Sequence, residues 1–226
     1  MAEIQINGIQ TGNDIKLMNR LNPDRIGFVF IKDDDRFITR EKARQLGKHL
    51  DRGIETVGIF KDDHFKMIAK MFQRRTINTI QLDGGEDEQY IEKLEKAAGR
   101  KSRIRKSFII EDSMDIYINV LSVADEIIFD FATYDEDKIS WSELKHRPNR
   151  AFFMKYGSDI DADKVMDFLN KYKPRGIEIL LGELDYAGEA QLEAFVQAVK
   201  SVRTIDDSES DDKDRMIDEG AMSDII

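Results

Sequence analysis

The chain has 226 residues, which is enough for one large α/β domain. Hydrophobic residues make up 41% of it and charged residues 35%, so we expect a sizeable core under a well-solvated surface. Cysteine is absent, which excludes disulfides, thiolate nucleophiles and cysteine-ligated zinc. No apolar run approaches about 18 residues, and the N-terminus lacks the basic start and apolar stretch of a signal peptide. We therefore expect a cytoplasmic protein with no membrane partner.

The net charge of −10 is concentrated near the C-terminus. Residues 204–226 contain nine acidic and two basic residues, so 36 acidic and 33 basic residues remain in 1–203. The stretch Asp206–Asp214 is polar and self-repelling, which predicts a disordered acidic tail over 204–226. This tail is a candidate contact for another protein. Neither part shows an obvious basic stripe, so no nucleic-acid partner is expected.

The apolar pattern alternates between period two and period 3.6 along 1–203, which is typical of βα units. Strands are predicted at Glu3–Asn7, Arg25–Phe30, Glu55–Phe60, Ile77–Leu82, Arg103–Ile109, Asp125–Asp130, Ala151–Lys155 and Gly176–Leu181. Helices are predicted at Thr11–Leu21, Thr39–Leu50, Asp63–Gln73, Glu86–Ala98, Asp112–Ser122, Ser140–Lys145, Ala162–Tyr172 and Gly188–Val202. Thr11 or Asn13 is expected to cap the first helix, and Thr39 the second.

Eight strands that alternate with eight helical segments favour a single-domain (β/α)8 TIM barrel over 1–203. An open doubly wound sheet is the alternative. Such sheets usually have five or six strands and a glycine-rich first turn, and the segment Asn7–Gly12 (NGIQTG) does not fit that fingerprint.

Several segments, in order and at matching spacing, resemble the phosphoribosylanthranilate isomerase family. The matching residues are Gln5-Ile6-Asn7-Gly8, Gly27-Phe28-Val29-Phe30 with Arg36, Val57-Gly58-Ile59-Phe60, Gln81-Leu82-Asp83-Gly84 with Glu86, Trp141, and Gly176-Ile177-Glu178 with Gly182. The resemblance implies an isomerase of tryptophan biosynthesis. Its reaction is an Amadori rearrangement, an aldose-to-ketose shift on a phosphorylated sugar amine, and it needs no cofactor.

The resemblance also assigns roles to residues. Asn7 stands where the family has a cysteine general base, and Asp130 stands where it has an aspartate general acid. The substrate-binding candidates are Arg36, for the anthranilate carboxylate, Asp83 at the end of strand four, and Gly157 and Gly182 in the phosphate loops. We expect a small-molecule ligand at the barrel mouth and a monomer or homodimer.

The substitutions within these motifs predict that the family activity is lost or weak. A carboxamide at Asn7 has no useful pKa near neutrality and cannot accept a proton as a thiolate does. The family's phosphate-binding glycines fall on Ser158-Asp159, and its serines fall on Leu180-Leu181. Its glycine-rich loop after strand six has become Tyr134–Asp137 and carries three acidic residues. These changes oppose phosphate binding.

A second hypothesis keeps the chain an active enzyme with altered chemistry. The strand ends carry more carboxylates than cations, and carboxylates are the ligands that divalent cations prefer. In this hypothesis Asp62, Asp83 and Asp130 hold a divalent cation, and His64 joins them. The alternative interpretation is that His64 is a solvated residue at the start of a helix.

Overall fold

Eight parallel strands close into a barrel in the order β1-β2-β3-β4-β5-β6-β7-β8, in a computed structural model that describes residues 1–99, 101–111, 113–131, 152–155, 162–181 and 189–202. The strands are β1 (Glu3–Asn7), β2 (Arg25–Val29), β3 (Glu55–Phe60), β4 (Thr79–Leu82), β5 (Ile104–Ile109), β6 (Glu126–Asp130), β7 (Phe152–Lys155) and β8 (Gly176–Leu180). The barrel closes where Glu3 of β1 pairs with Gly176 of β8.

The described part of the chain contains seven helices on the outside of the barrel. They are α1 (Gly12–Leu21), α2 (Arg40–Gly47), α3 (Phe65–Gln73), α4 (Glu88–Ala98), α5 (Ser113–Asn119), α6 (Ala162–Tyr172) and α7 (Glu189–Ser201). The predicted helix Ser140–Lys145 and the acidic tail lie outside the described residues. None of the described helices is long and apolar enough to cross a membrane.

Side-chain caps explain where the first two helices begin. The Thr11 hydroxyl accepts a hydrogen bond from the Asp14 backbone N–H at 3.2 Å, and the Asp14 carboxylate accepts one from the Thr11 N–H at 2.7 Å. This reciprocal capping box identifies Thr11, rather than Asn13, as the cap of α1. Thr39 caps α2 in a similar way by accepting from the Lys42 N–H.

The apolar core lies mainly between the strands and the helices, while much of the barrel interior is polar. A small apolar cluster, made of Val29, Val57 and Ile59, forms apart from the main core. The buried polar residues include Gln5, Gln81, Arg105 and Glu178, each at most 1% exposed. Because buried polar groups need partners, this interior holds an organised network, described below. The expected (β/α)8 fold is confirmed.

Candidate functional site

A cleft of about 1110 Å³ opens at the carboxyl ends of the strands. It is lined by residues that follow β2 and β3, by the β4 and β5 ends, and by the last residues of β6 and β7. This is the face at which (β/α)8 barrels bind their ligands, because the βα loops there vary without disturbing the barrel. Two of the predicted site residues, Asp83 and Asp130, line the cleft directly.

Lys155, the last residue of β7, lies between these two carboxylates. Its ammonium is 2.9 Å from Asp83 Oδ2 and 2.9 Å from Asp130 Oδ2. Burial disfavours the charge of Lys155, but the two carboxylates outweigh that effect and raise its pKa above the ordinary value. A lysine with a raised pKa gives up its proton less readily, so Lys155 serves better as a fixed cation than as a general acid.

Asn7, the last residue of β1, is 1% exposed and turned into the barrel. Its Oδ1 accepts a hydrogen bond from Gln5 Nε2 at 2.8 Å, and its Nδ2 donates to Glu178 Oε2 at 3.2 Å. Gly27 on β2 makes room for this carboxamide, because a Cβ at that position would lie 2.0 Å from Asn7 Oδ1. Both ends of the carboxamide are therefore engaged below the cleft.

Hydrogen bonds and ion pairs connect Asn7 to Asp130. Gln81 Nε2 donates to Glu178 Oε2 at 2.9 Å and to Asp83 Oδ1 at 3.0 Å. The path therefore runs from Asn7 through Glu178, Gln81, Asp83 and Lys155 to Asp130. We call this set, together with Gln5 and Arg105, the interior network. It brings together three of the predicted site residues, Asn7, Asp83 and Asp130.

Arg105 and Glu178 form the charged centre of the interior network. Arg105 Nη1 lies 2.9 Å from Glu178 Oε1, and both side chains are 0% exposed. Burial raises the pKa of the Glu178 carboxyl, an effect that the positive charge of Arg105 opposes. Arg105 also stacks over the Phe153 ring, with 4.2 Å between the guanidinium carbon and the ring centroid. The Arg105–Glu178 contact is an ion pair without an aligned hydrogen bond at Oε1 among the described residues.

Arg36, expected to hold a substrate carboxylate, is engaged by its own loop. Its Nε and Nη2 donate to the two carboxylate oxygens of Asp34 at 2.8 and 2.9 Å. The hydrogen bond from Arg36 lowers the pKa of Asp34 below its usual value. Gly8, with a φ of 88°, lies close enough that a Cβ there would be 3.1 Å from Arg36 Cδ. Arg36 is thus placed beside the end of β1, but its fork already binds a carboxylate.

Glu86 organises the loops after β3 and β4. Its carboxylate accepts hydrogen bonds from the backbone N–H groups of Asp62 and Gly84 at 2.7 and 2.9 Å. Lys106 Nζ lies 3.1 Å from Glu86 Oε2 and also donates to the Gly84 carbonyl. These contacts fix the positions of the two loops that form this wall of the cleft.

The hypothesis of a divalent-cation site is not supported by this geometry. The Lys155 ammonium already lies between Asp83 and Asp130, the two carboxylates that were expected to share a cation. Asp62 Oδ1 accepts the Gly85 N–H at 2.7 Å, and His64 Nδ1 accepts the Lys66 N–H as the cap of α3. Within the described residues, no three acidic or histidine side chains are arranged to hold a metal ion.

More of the negative charge of the cleft is neutralised by ion pairs than the sequence suggests. Seven carboxylates and four lysines line it, so the expected excess of carboxylates is present. Four of the seven are in ion pairs, however: Asp34 with Arg36, Glu86 with Lys106, and Asp83 and Asp130 with Lys155. Gly157, Gly182 and the Ser158-Asp159 pair lie outside the described residues. Leu180 and Leu181 are half-buried at the end of β8.

Sequence reasoning missed the interior network. The signal was present, because Gln5 and Asn7, Gln81 and Asp83, and Arg105 and Ser107 stand two residues apart on one face of their strands. In a strand whose other face packs against helices, a polar face of this kind points into the barrel. The polar partners across the barrel were not identified from this pattern.

The comparison with known families decides the relationship of this chain. A family model for N-(5'-phosphoribosyl)anthranilate (PRA) isomerase matches residues 4–182. The chain belongs to this family. The match extends from β1 to the residue that follows Leu181, and therefore includes all eight strands of the barrel.

Relatives of the family are similar over different lengths. An N-(5'-phosphoribosyl)anthranilate isomerase from Endomicrobium trichonymphae is 30% identical over 212 residues, covering 91% of this chain and 100% of the relative. The enzyme from Clostridium beijerinckii is 38% identical over 116 residues, and this match spans only half of each protein. A solved PRA isomerase, in complex with reduced 1-(o-carboxyphenylamino)-1-deoxyribulose 5-phosphate, has a TM-score of 0.73 at 18% identity and covers 89% of this chain and 100% of its own. That structural likeness concerns the fold.

Proposed function

We propose that this chain is a PRA isomerase family barrel in which the isomerisation of phosphoribosylanthranilate is lost or strongly weakened, and which acts by binding rather than by catalysis. The observation that carries the proposal is the position of Asn7. It stands where the family has its general base, and it is buried with both polar ends hydrogen-bonded to Gln5 and Glu178. A carboxamide held in this way accepts no proton from a substrate in the cleft.

The residue at the family's general-acid position, Asp130, supports the same conclusion. Asp130 is paired with Lys155, which also holds Asp83. The carboxylate at the family's acid position is therefore engaged by a lysine ammonium, and the family's base position holds a carboxamide that cannot accept a proton. These two features support a lost or weakened Amadori rearrangement.

The test is complementation of cells that lack the isomerase and cannot make tryptophan. We expect the unmodified chain to give no growth without tryptophan, and Asn7→Cys alone to give none, because the side chains of Leu180 and Leu181 offer no hydrogen-bond donors to a phosphate. Soluble expression of both proteins, checked by their melting temperatures, is the control. Full growth with the unmodified chain would show that the isomerase activity survives.

One observation favours the competing proposal of a working isomerase. The Glu178 carboxyl borders Asn7, and burial raises its pKa above the ordinary value. If Glu178 served as the base, conversion of phosphoribosylanthranilate by the purified chain would be abolished by Glu178→Gln and kept in Glu126→Gln. We expect that the unmodified chain and both variants show no conversion above the background measured without enzyme.

A further inference from the structure

A basic groove runs between α2 and α3 on the outside of the barrel. It has a volume of about 610 Å³, and its basic residues are Arg40, Arg44, Lys48, Lys70 and Arg74. All five are exposed, and Glu41 is the one carboxylate among the lining residues. In the part of the chain that the structure describes, Arg44, Lys48, Lys70 and Arg74 form no ion pair within 4.0 Å. We call this surface the basic groove.

Helical spacing explains how the basic groove forms. Arg40, Arg44 and Lys48 are four residues apart and therefore share one face of α2. Lys70 and Arg74 have the same spacing on α3. A count of charges over the whole chain hides this arrangement, because acidic residues elsewhere in the sequence outnumber the basic ones.

The basic groove continues toward the amino ends of the strands. A neighbouring depression of about 420 Å³ shares Arg44, Lys48 and Arg74 with it and adds Arg52 and Arg75. This depression also reaches Thr56 at the start of β3. Seven cations therefore lie along one surface that ends on the amino-terminal face of the barrel. Residues 1–203 as a whole contain 36 acidic and 33 basic residues, so the surface is an exception to the charge of the barrel.

Val202, the last described residue before the acidic segment 204–226, lies on the same face. The Ala2 N–H donates to the Val202 carbonyl at 2.8 Å, which fixes the end of α7 beside the start of β1. The 24 residues that follow Val202 span up to about 80 Å when extended. A compact domain of about 200 residues is roughly 40 Å across. The segment is therefore long enough to reach the basic groove from Val202 by any route over the surface.

We infer that the basic groove between α2 and α3 binds the acidic segment 204–226 of the same chain. The charges are complementary, since the segment carries nine acidic and two basic residues. The acidic residues begin at Asp206 and recur through Asp214, so several carboxylates can meet arginine forks along the groove at once. Attachment to the same chain raises the effective concentration of the segment, which compensates for the weakness of each exposed ion pair.

The absence of cysteine from the chain makes a direct test available. Ser210→Cys in the full chain accepts a single nitroxide spin label, which broadens the amide resonances of nearby residues. At low ionic strength we expect loss of signal at the amides of Arg44, Lys70 and Thr76. At about 1 M salt, where the screening length falls to about 3 Å, we expect the signals to return.

Charge-reversed variants locate the contact. Arg44→Glu with Lys70→Glu, in the spin-labelled chain, should restore the signals of the remaining groove amides at low ionic strength. Lys93→Glu with Lys96→Glu is the matched control, because it makes the same charge change on exposed positions of α4. The control should leave the broadening unchanged. Groove amides that the label does not affect, at any ionic strength, would overturn the inference.

Two further outcomes identify a different occupant and also overturn it. Broadening that appears only when spin-labelled chain is mixed with isotopically enriched, unlabelled chain would assign the basic groove to the segment of a second copy. Amide resonances of the groove that the label does not broaden, but that shift on addition of a single-stranded oligonucleotide, would assign the basic groove to nucleic acid.

Discussion

Arg105 and Glu178 face each other across the centre of the barrel, with 2.9 Å between Nη1 and Oε1 and no exposure of either side chain. They are separated by 72 intervening residues and lie on β5 and β8, which are not neighbours in the sheet. Arg105 Nε also lies 2.8 Å from Glu126 Oε2. Together with Glu126 of β6, the pair therefore links three strands through the interior. It also supports Asn7 and Gln81 from below.

Removing one member of this pair should be costly. Arg105→Met leaves the buried Glu178 carboxylate without its paired cation, while Glu126 keeps Arg25 at 2.6 Å. We therefore expect a loss of about 3–5 kcal/mol in the free energy of unfolding. Arg105→Met with Glu178→Gln should recover much of that loss, because the fully buried carboxylate at position 178 is then removed together with its cation. Urea unfolding measures both variants.

Arg103 provides the matched control for this experiment. It precedes β5, and its side chain is 48% exposed and 3.5 Å from Glu55. Arg103→Met should cost no more than about 1 kcal/mol. Equal losses for the two arginines would show that the buried ion pair contributes no more than an exposed one.

The fold could be predicted from the sequence because it depends on patterns along the chain. Alternating periods placed β3 at Glu55–Phe60, as observed, and placed β6 within one residue of its observed bounds. The errors fall at element ends. The strand predicted from Ile77 begins at Thr79, since the Asn78 side chain hydrogen-bonds the Thr56 N–H at 2.9 Å and precedes the ladder.

The site was only partly predictable, because its chemistry depends on contacts across the barrel. The end of β6 identified Asp130 as a site residue, and periodicity shows which face of a strand a side chain occupies. Neither the strand end nor the periodicity shows which cation from another strand approaches Asp130. The sequence placed Lys155 at the end of a predicted strand, but its position between Asp83 and Asp130 depends on the closed barrel and its register.

A second prediction concerns acid stability and Glu126. Burial opposes its ionisation, but the charges of Arg105 and Arg25 outweigh burial and lower its pKa below the ordinary value of 4.5. A carboxyl with a lowered pKa contributes stability above pH 4.5, and this contribution is lost as the pH falls through the folded-state pKa. We therefore expect the unfolding free energy of Glu126→Gln to fall less steeply with acidification than that of the parent chain.

Unfolding curves at several pH values between neutrality and the acid limit of folding measure this difference. The raised pKa of Glu178 acts in the opposite sense and above pH 4.5, and comparison with the parent chain removes that contribution. Glu92→Gln, at an exposed position of α4, is the control. The assignment to Glu126 is wrong if both variants have the slope of the parent.

A third prediction concerns the residue at the base position. Asn7→Asp introduces a proton acceptor, but it places a second buried carboxylate where Asn7 now donates to Glu178 Oε2 at 3.2 Å. Like charges at this distance oppose ionisation of both groups. We expect Asn7→Asp to lower the unfolding free energy at neutral pH by at least about 1.4 kcal/mol, which corresponds to one pKa unit.

The double variant Asn7→Asp with Glu178→Gln completes a thermodynamic cycle. If repulsion between the carboxylates causes the loss, the two changes together should cost less than the sum of their separate costs. Additive costs would mean that the loss at Asn7 arises from packing against Gly27.

A fourth prediction concerns cations in the cleft. Lys155→Met removes the ammonium between Asp83 and Asp130 and leaves two carboxylates that can bind a divalent ion together. We expect this variant to be less stable than the parent and to regain stability on addition of Mn²⁺, since a ligand that binds only the folded state raises the melting temperature. The parent should respond weakly.

Lys61→Met is the control, because Lys61 lines the same cleft and the substitution removes the same charge. Its melting temperature should respond to Mn²⁺ as the parent does. An equal response from both variants would show that the ion follows the general charge of the cleft rather than the site between the two aspartates.

The last prediction concerns the contribution of residues 204–226 to stability. Truncation after Arg203 keeps the buried Val202 and its backbone hydrogen bond to Ala2, so the packed end of α7 is intact. The contacts proposed for the segment are exposed ion pairs, which contribute about 0–1 kcal/mol each at most. For a domain of this size, about 1 kcal/mol shifts the melting temperature by roughly 2–4 °C. We therefore expect the melting temperature to move by only a few degrees. The change should also shrink as salt is added, because screening already weakens these contacts in the full chain. A fall of more than about ten degrees, independent of salt, would show that the segment buries apolar residues such as Met216 and Ile217 against the barrel.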